Sequence, residues 1–260
     1  MPRHELTVAS EAARAAGAAI RAIYDTPFEV RQKSHDNPVT EADLQANARI
    51  HSLIQREFPR DGWLSEETHD DRNRLTQSRV WIVDPLDGTK EFVQHLPEFC
   101  VCISLVENGE PIVAVSYNPI AEEMFVAERG GGLALNGTPA HVTQTTTLKD
   151  ARVLASRSED KRREWDVYRS HFTVELTGSV AYKLALIAAG RADATFSLTP
   201  KNEWDICAGT LLITEGGGRV TDRAGQPLRF NQPDTRRTGL IATNGRLHAP
   251  IMELIARLSA

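Results

Sequence analysis

The chain has 260 residues, 41% of them hydrophobic and 25% charged, and carries a formal net charge of −5. That length accommodates one large domain or two small ones packed together, with a core that needs no covalent staples. The acidic balance argues against a nucleic-acid polymer as partner, which needs a basic face, but leaves room for a small anionic substrate where a metal reverses the local field.

The N-terminal MPRHELTVASE has charges where a leader peptide needs an apolar stretch. Nowhere does an apolar run approach the ~20 residues of a membrane span. A cytoplasmic protein without a membrane partner is the expectation. Glu5 to Tyr24 is alanine-rich, and Leu6, Ala9, Ala13, Ala16, Ile20 and Ile23 share one helical face. Thr26-Pro27 ends this helix. Phe28 to Lys33 reads as a short strand and Ser34 to Pro38 as a loop. Thr40 is an N-cap for a second helix reaching Phe58, with Glu41 and Asp43 in the first turn, where the helix dipole favours acids. Pro59 to Gly62 close that helix. Trp63-Leu64 is a brief apolar step before Ser65-Glu66-Glu67, and the polar run from Thr68 to Ser78 reads as a loop.

Trp81 to Phe92, WIVDPLDGTKEF, organises the rest. Trp81-Ile82-Val83 has a strand's composition and ends at Asp84, where Pro85 should stop ladder pairing. Asp87 follows, and Gly88-Thr89 lead into a helical turn from Lys90 to His95. A strand thus delivers two carboxylates to its end while a turn points N–H groups at the same place. Carboxylates suit hard cations such as Mg²⁺, and N–H groups at a helix start suit phosphate oxygens. Asp-Pro and Asp-Gly are also ordinary turn formers, so this span alone leaves both readings open.

Cys100 to Glu107 and Pro111 to Tyr117 are strands around the hairpin signal Asn108-Gly109. Glu123 to Glu128 and Gly132 to Leu135 continue an antiparallel meander, with a turn at Asn136-Gly137. Cys100, Cys102 and Cys207 form no metal-like spacing and read as reduced core residues. After about Asp150 the elements alternate. Strands are expected at Val153 to Ser156, Val174 to Thr177, Ala192 to Ser197, Arg219 to Thr221 and Leu240 to Thr243. Helices are expected at Val180 to Ala189 (capped by Gly190), at Trp204 to Glu215 and from Leu247. The expectation is an α+β half over residues 1–140 with an antiparallel sheet, and an α/β half over 141–260 with a mixed sheet.

Four acids sit where an apolar element meets a turn: Glu66, Asp84, Asp87 and Asp205. Singly, Asp205 could be a simple N-cap and Glu66 a solvated loop acid. As a set they would supply the oxygen shell that Mg²⁺ prefers, with the Leu86 carbonyl exposed by the turn. Two such ions can clamp the attacking and leaving oxygens of a phosphoryl transfer. No histidine or cysteine joins the set, which disfavours zinc.

WIVDPLDGTKEF, the earlier SEE at Ser65 to Glu67, and WDICAGTLLITEGGG from Trp204 together resemble the inositol monophosphatase superfamily. The resemblance implies an αβαβα layered sandwich, shared with fructose-1,6-bisphosphatase, and a Mg²⁺-dependent, lithium-sensitive phosphomonoesterase holding two or three ions per site. It implies that Glu66, Asp84, the Leu86 carbonyl, Asp87 and Asp205 ligate metal. Gly88 and Thr89 would meet phosphate through backbone N–H groups. Thr89 with Asp43, from VTEAD, would orient a metal-activated water for in-line attack. A homodimer is common in that superfamily.

Within it, GTKEF and GSVAYKLALIAAG, Gly178 to Gly190, resemble the 3'(2'),5'-bisphosphate nucleotidase branch. Lys183, in that second run, could pair with a second phosphate, or be a surface helix lysine; Lys201 is a weaker candidate for the same task. Where inositol phosphatases carry an acid for sugar hydroxyls, seven residues before Asp205, stands Leu198. The favoured substrate is therefore adenosine 3',5'-bisphosphate, hydrolysed to AMP and phosphate, with inositol monophosphate second. A haloacid-dehalogenase-type phosphatase is disfavoured because two residues, not one, separate Asp84 from Asp87. A metal-binding protein without turnover would keep the same fold.

Overall fold

The structure, a computed structural model, describes residues 3–34 and 37–258. Helix α1 (His4–Tyr24) precedes a hairpin of β1 (Val30–Ser34) and β2 (Asn37–Thr40), then α2 (Glu41–Glu57). Next come β3 (Gly62–Ser65), β4 (Arg79–Asp87), α3 (Thr89–Val93), β5 (Cys100–Glu107), β6 (Glu110–Asn118), β7 (Glu123–Glu128), β8 (Gly132–Leu135) and β9 (Thr138–Ala140). The remainder is β10 (Arg152–Ala155), α4 (Arg157–Lys161), β11 (Thr173–Leu176), α5 (Val180–Ala188), β12 (Ala194–Ser197), β13 (Lys201–Asn202), α6 (Glu203–Glu215), β14 (Arg219–Thr221), β15 (Arg236–Arg237), β16 (Leu240–Thr243) and α7 (His248–Leu258).

Strand alternation builds five layers. β3 to β9 form one sheet in sequence order, and β11-β10-β12-β16-β14 form a second, mixed sheet. In the first sheet Trp81, Val83, Val101, Ile103, Val113 and Val115 face α1 and α2. The intervening Val80, Ile82, Cys100, Cys102 and Ala114 face the other way, onto α5 and α6. Leu154, Leu240 and Ala242 of the second sheet close over those two helices from the far side. Val153, Ala155, Phe196 and Ile241 point outward to α7 and the Trp165–Phe172 aromatics. The order is therefore α, β, α, β, α, and the middle core draws on residues both before and after position 140.

Several local expectations change. Pro85 does not end β4, which runs on to Asp87. β3 pairs parallel to β4, so the first sheet is antiparallel only from β4 onward. The loop expected at Ser34 to Pro38 lies partly outside the described residues, and Asn37–Thr40 is a strand paired with β1. The polar run after Thr68 contains a single 3₁₀ turn, Asn73–Thr76, and a short helix, α4, follows Ser156 where none was expected. The short helix after Gly88 begins at Thr89 rather than Lys90. No helix among the described residues is long and apolar enough to cross a membrane.

The central helices touch through Gly209. A Cβ there would lie 2.4 Å from Leu184 Cβ, so only glycine lets α5 and α6 approach this closely. Gly209→Ala should lower stability by about 1–3 kcal/mol through overpacking. Alanine in an open helix position would instead raise it by up to about 1 kcal/mol. A urea midpoint that rises in the variant would contradict this packing.

Candidate active site

Residues three apart on a regular strand face opposite sides. Asp84 pairs with Cys102 and Asp87 with Cys100, so three steps along β4 face two along β5. This bulge resets the alternation. Leu86 goes to the α1–α2 side, while Asp84 and Asp87 both turn into the middle layer. Two helix starts meet them there. Ser179, the N-cap of α5, donates its hydroxyl to Asp87 Oδ2, and the Ala181 N–H donates to the same oxygen at 2.6 Å. At α6 the N-cap is Asn202, and Asp205 sits three residues inside, where its Oδ2 accepts from the Asn202 N–H at 3.1 Å. The alternative that Asp205 is itself the N-cap is thereby corrected. Glu66 follows β3, and its N–H donates to the Val83 carbonyl at 3.3 Å.

Carboxylate oxygens of Glu66, Asp84 and Asp205 lie within 4.8 Å of one another. Asp87 stands beside this trio rather than in it, with one oxygen committed to the start of α5. Asp84 is 1% exposed. Its Oδ1 accepts from the Leu86 N–H at 3.0 Å, and its Oδ2 is buried without a hydrogen-bond partner. An orphaned buried carboxylate oxygen costs more than the ~1–3 kcal/mol of a neutral polar group. A cation would relieve that cost, and an all-oxygen donor set suits a hard divalent ion. The residues present fit such an ion.

Burial, and then the charges of Glu66, Asp87 and Asp205, push the Asp84 carboxyl well above its ordinary value of 3.8. Burial, and then Asp87 and Glu66, do the same to Asp205. Burial raises Asp87 too, against the opposing bonds from Ser179 and Ala181.

Asp43 and Thr89 meet at the edge of the trio. The Thr40 N–H and hydroxyl both donate to Asp43 Oδ2 at 2.7 Å. Thr89 Oγ1 lies 2.9 Å from Asp43 Oδ1 and 3.2 Å from the Leu86 carbonyl. Gly88 has φ +103°, and a Cβ there would come within 2.9 Å of the Glu98 carbonyl. No side chain caps α3.

Glu66, Asp87, Gly88, Thr89 and Asp205 line a cleft of about 620 Å³ together with Lys183, Lys201 and Arg157. Lys183 is 3% exposed, which rules out the surface-helix alternative. Its ammonium reaches the Thr177 carbonyl at 3.4 Å. Burial pulls its pKa down to about 8, against the pull of Glu159, Asp87 and Glu91. Lys201 lies 3.6 Å from Glu159, whose Oε1 also accepts from Ser197 at 2.7 Å. Leu198 does not line the cleft; it packs against the outer aromatic core.

Sequence reasoning missed Ser179, Glu159 and Glu203. Ser156-Arg157-Ser158-Glu159 has the spacing of a capping box, so a helix start was visible there. Nothing in the sequence shows that the Glu159 carboxylate turns inward instead of back to its cap.

The sequence model of the inositol monophosphatase family matches residues 1–260. The chain belongs to that family. The family groups phosphatases of phosphomonoesters. The chain is 37% identical over 231 residues to Nus factor SuhB of Salmonella typhimurium, covering 85% of each chain. It is 33% identical over 261 residues to the inositol-1-monophosphatase of Synechocystis, covering 96% of this chain and 88% of that one. The solved IMPase of Thermotoga maritima superposes with a TM-score of 0.89 at 27% identity, over 99% of this chain and 98% of that one.

The crowded acids set a pH dependence. The folded carboxyls of Asp84 and Asp205 hold protons more tightly than unfolded ones, so above 3.8 the native state binds more protons and stability falls as pH rises. Chelated protein should lose melting temperature as pH rises above the ordinary carboxylate value of 3.8, and Mg²⁺ should restore more of it at higher pH. Calorimetry with and without chelator reads the difference. Two superimposable pH profiles would remove the cation cage.

Proposed function

We propose that this phosphatase is a Mg²⁺-dependent phosphomonoesterase that removes the 3'-phosphate of adenosine 3',5'-bisphosphate, leaving AMP. The observation that carries the reading is the buried Lys183 lining the same cleft as Glu66, Asp87 and Asp205. Glu66, Asp84 and Asp205, with Asp87 and the Leu86 carbonyl, would hold the metal. Mg²⁺, when bound, supplies Lewis acidity toward water and phosphate oxygens. Thr89 donates to Asp43 Oδ1, so that as its lone pair takes a proton from a water in the cleft its own proton passes to the Asp43 carboxylate. Asp43 is kept in place for this by the two bonds from Thr40. The Gly88 and Thr89 N–H groups orient the reacting phosphate. Lys183, still mainly protonated at neutral pH, pairs with the second phosphate, and Lys201 stands close enough to assist. Lithium sensitivity, a homodimer and a cytoplasmic location belong to the same reading.

A second reading is hydrolysis of inositol monophosphate. It is favoured by the name of the Synechocystis relative. Against it stands Leu198, at the place of that acid: it packs against the outer core and does not line the cleft.

Asp84→Asn should cut kcat by more than about 10³-fold while leaving the fold in place, since a bound metal contributes several kcal/mol to the transition state. Circular dichroism checks the fold and phosphate release the rate; native turnover in that variant would refute the assignment. Lys183→Met keeps the volume and removes the charge. KM for adenosine 3',5'-bisphosphate should rise about 10–100-fold, the worth of one charge-assisted bond. KM for inositol 1-phosphate should change little. Equal changes in both would take Lys183 out of specificity.

A further inference from the structure

Arg74 lies in the 3₁₀ turn Asn73–Thr76, outside the cleft, yet its side chain is 1% exposed. A buried guanidinium must place all its donors. Here they go two ways. Nε and Nη2 bond the Asp70 carboxylate, at 3.1 and 2.8 Å. Nη1 donates to Asn231 Oδ1 at 2.7 Å, and Nη2 also reaches the Gln232 carbonyl at 3.1 Å. Asn231 returns a bond from Nδ2 to the Arg74 carbonyl at 3.2 Å.

The same two residues carry the chain of bonds onward. The Asn231 and Gln232 N–H groups donate to the two carboxylate oxygens of Glu203, at 2.7 and 3.0 Å. Glu203 is 0% exposed and is the first residue of α6. Asp205 follows it in the same helical turn. On the other side, Asp70 belongs to the segment that leaves β3 through Glu66. One continuous set of bonds thus ties the segment bearing Glu66 to the helix start bearing Asp205, without any member joining the acidic trio.

A buried ion network adds little stability over apolar residues of the same volume. What it does supply is fixed direction, because each member has one satisfied geometry. Fixed direction is what the trio requires: Glu66 and Asp205 approach Asp84 from different segments. We infer that Arg74, with Asp70, Asn231 and Glu203, forms a positioning cluster that holds Glu66 and Asp205 at the separation a divalent cation requires. This rests on the cation site proposed above.

The test uses the full chain stripped of metal, with Mn²⁺ as the probe in calorimetric titration and urea unfolding alongside. Arg74→Met removes the hub. Asn231→Gly is the gentler variant: Asn231 has φ +57°, which glycine adopts freely, and its backbone bond to Glu203 survives. Both variants should weaken Mn²⁺ binding by about 10-fold or more, the usual cost of losing a support behind a metal ligand. Arg79→Met is the control. Arg79 is similarly bonded, to Asp61 and Glu5, but at the opposite end of β4 from Asp84. It should lower the urea midpoint and leave Mn²⁺ affinity unchanged. Should Arg74→Met fail to fold, Asn231→Gly decides alone. If the folded variants lose stability but bind Mn²⁺ as tightly as the native chain, the positioning role is overturned. If the native chain itself binds no Mn²⁺, the cation site falls first and the inference with it, a result that the variants cannot mimic.

Discussion

Three carboxylates forced together, one buried and two at the edge of the cleft, are the constraint on which this structure turns. Glu66, Asp84 and Asp205 repel one another, and Asp84 has an oxygen that no protein group satisfies. Left alone, such a group of charges would spread apart. Each is instead tied to nearby backbone: the Glu66 N–H donates to the Val83 carbonyl, the Asp84 carboxylate accepts from the Leu86 N–H, and the Asp205 carboxylate accepts from the Asn202 N–H. The fold stores unfavourable electrostatics there, and ligand or proton binding is what relieves it.

The layers explain how this crowding is tolerated. The β4 bulge turns Asp84 and Asp87 into the middle layer, where α5 and α6 begin. Helix starts present N–H groups and the positive end of the dipole, the one backbone feature that stabilises anions without a charged side chain. Asp87 uses the start of α5, and Asp205 the first turn of α6. Gly209 sets how closely the two helices lie, and so the spacing of their ends.

The cleft carries both signs of charge: Glu66, Asp87 and Asp205 line it together with Lys183, Lys201 and Arg157. Glu159, outside the acidic trio, holds Lys201 at 3.6 Å, so the cationic side chains have an anchor of their own. A small molecule with two phosphates in the cleft would find cationic groups for the one that does not react.

The sequence by itself determined the elements and the family. The apolar run from Trp81 to Val83, the Asn108-Gly109 hairpin, the Gly190 stop and the alanine face of the first helix are local, and short-range sterics and composition suffice to read them. The motifs around Asp84 and Asp205 named the acids because residue type and spacing carry that information. The reach of β4 past Pro85 was not legible, since a bulge depends on which register the partner strand adopts. Nor was the burial of Lys183: the same helical letters could face water or core, and only the second sheet closing over α5 decides. The bond chain from Arg74 to Glu203 joins residues far apart in the chain, and no local pattern marks it. Side-chain direction is set by what packs against it, and that is a property of the folded whole.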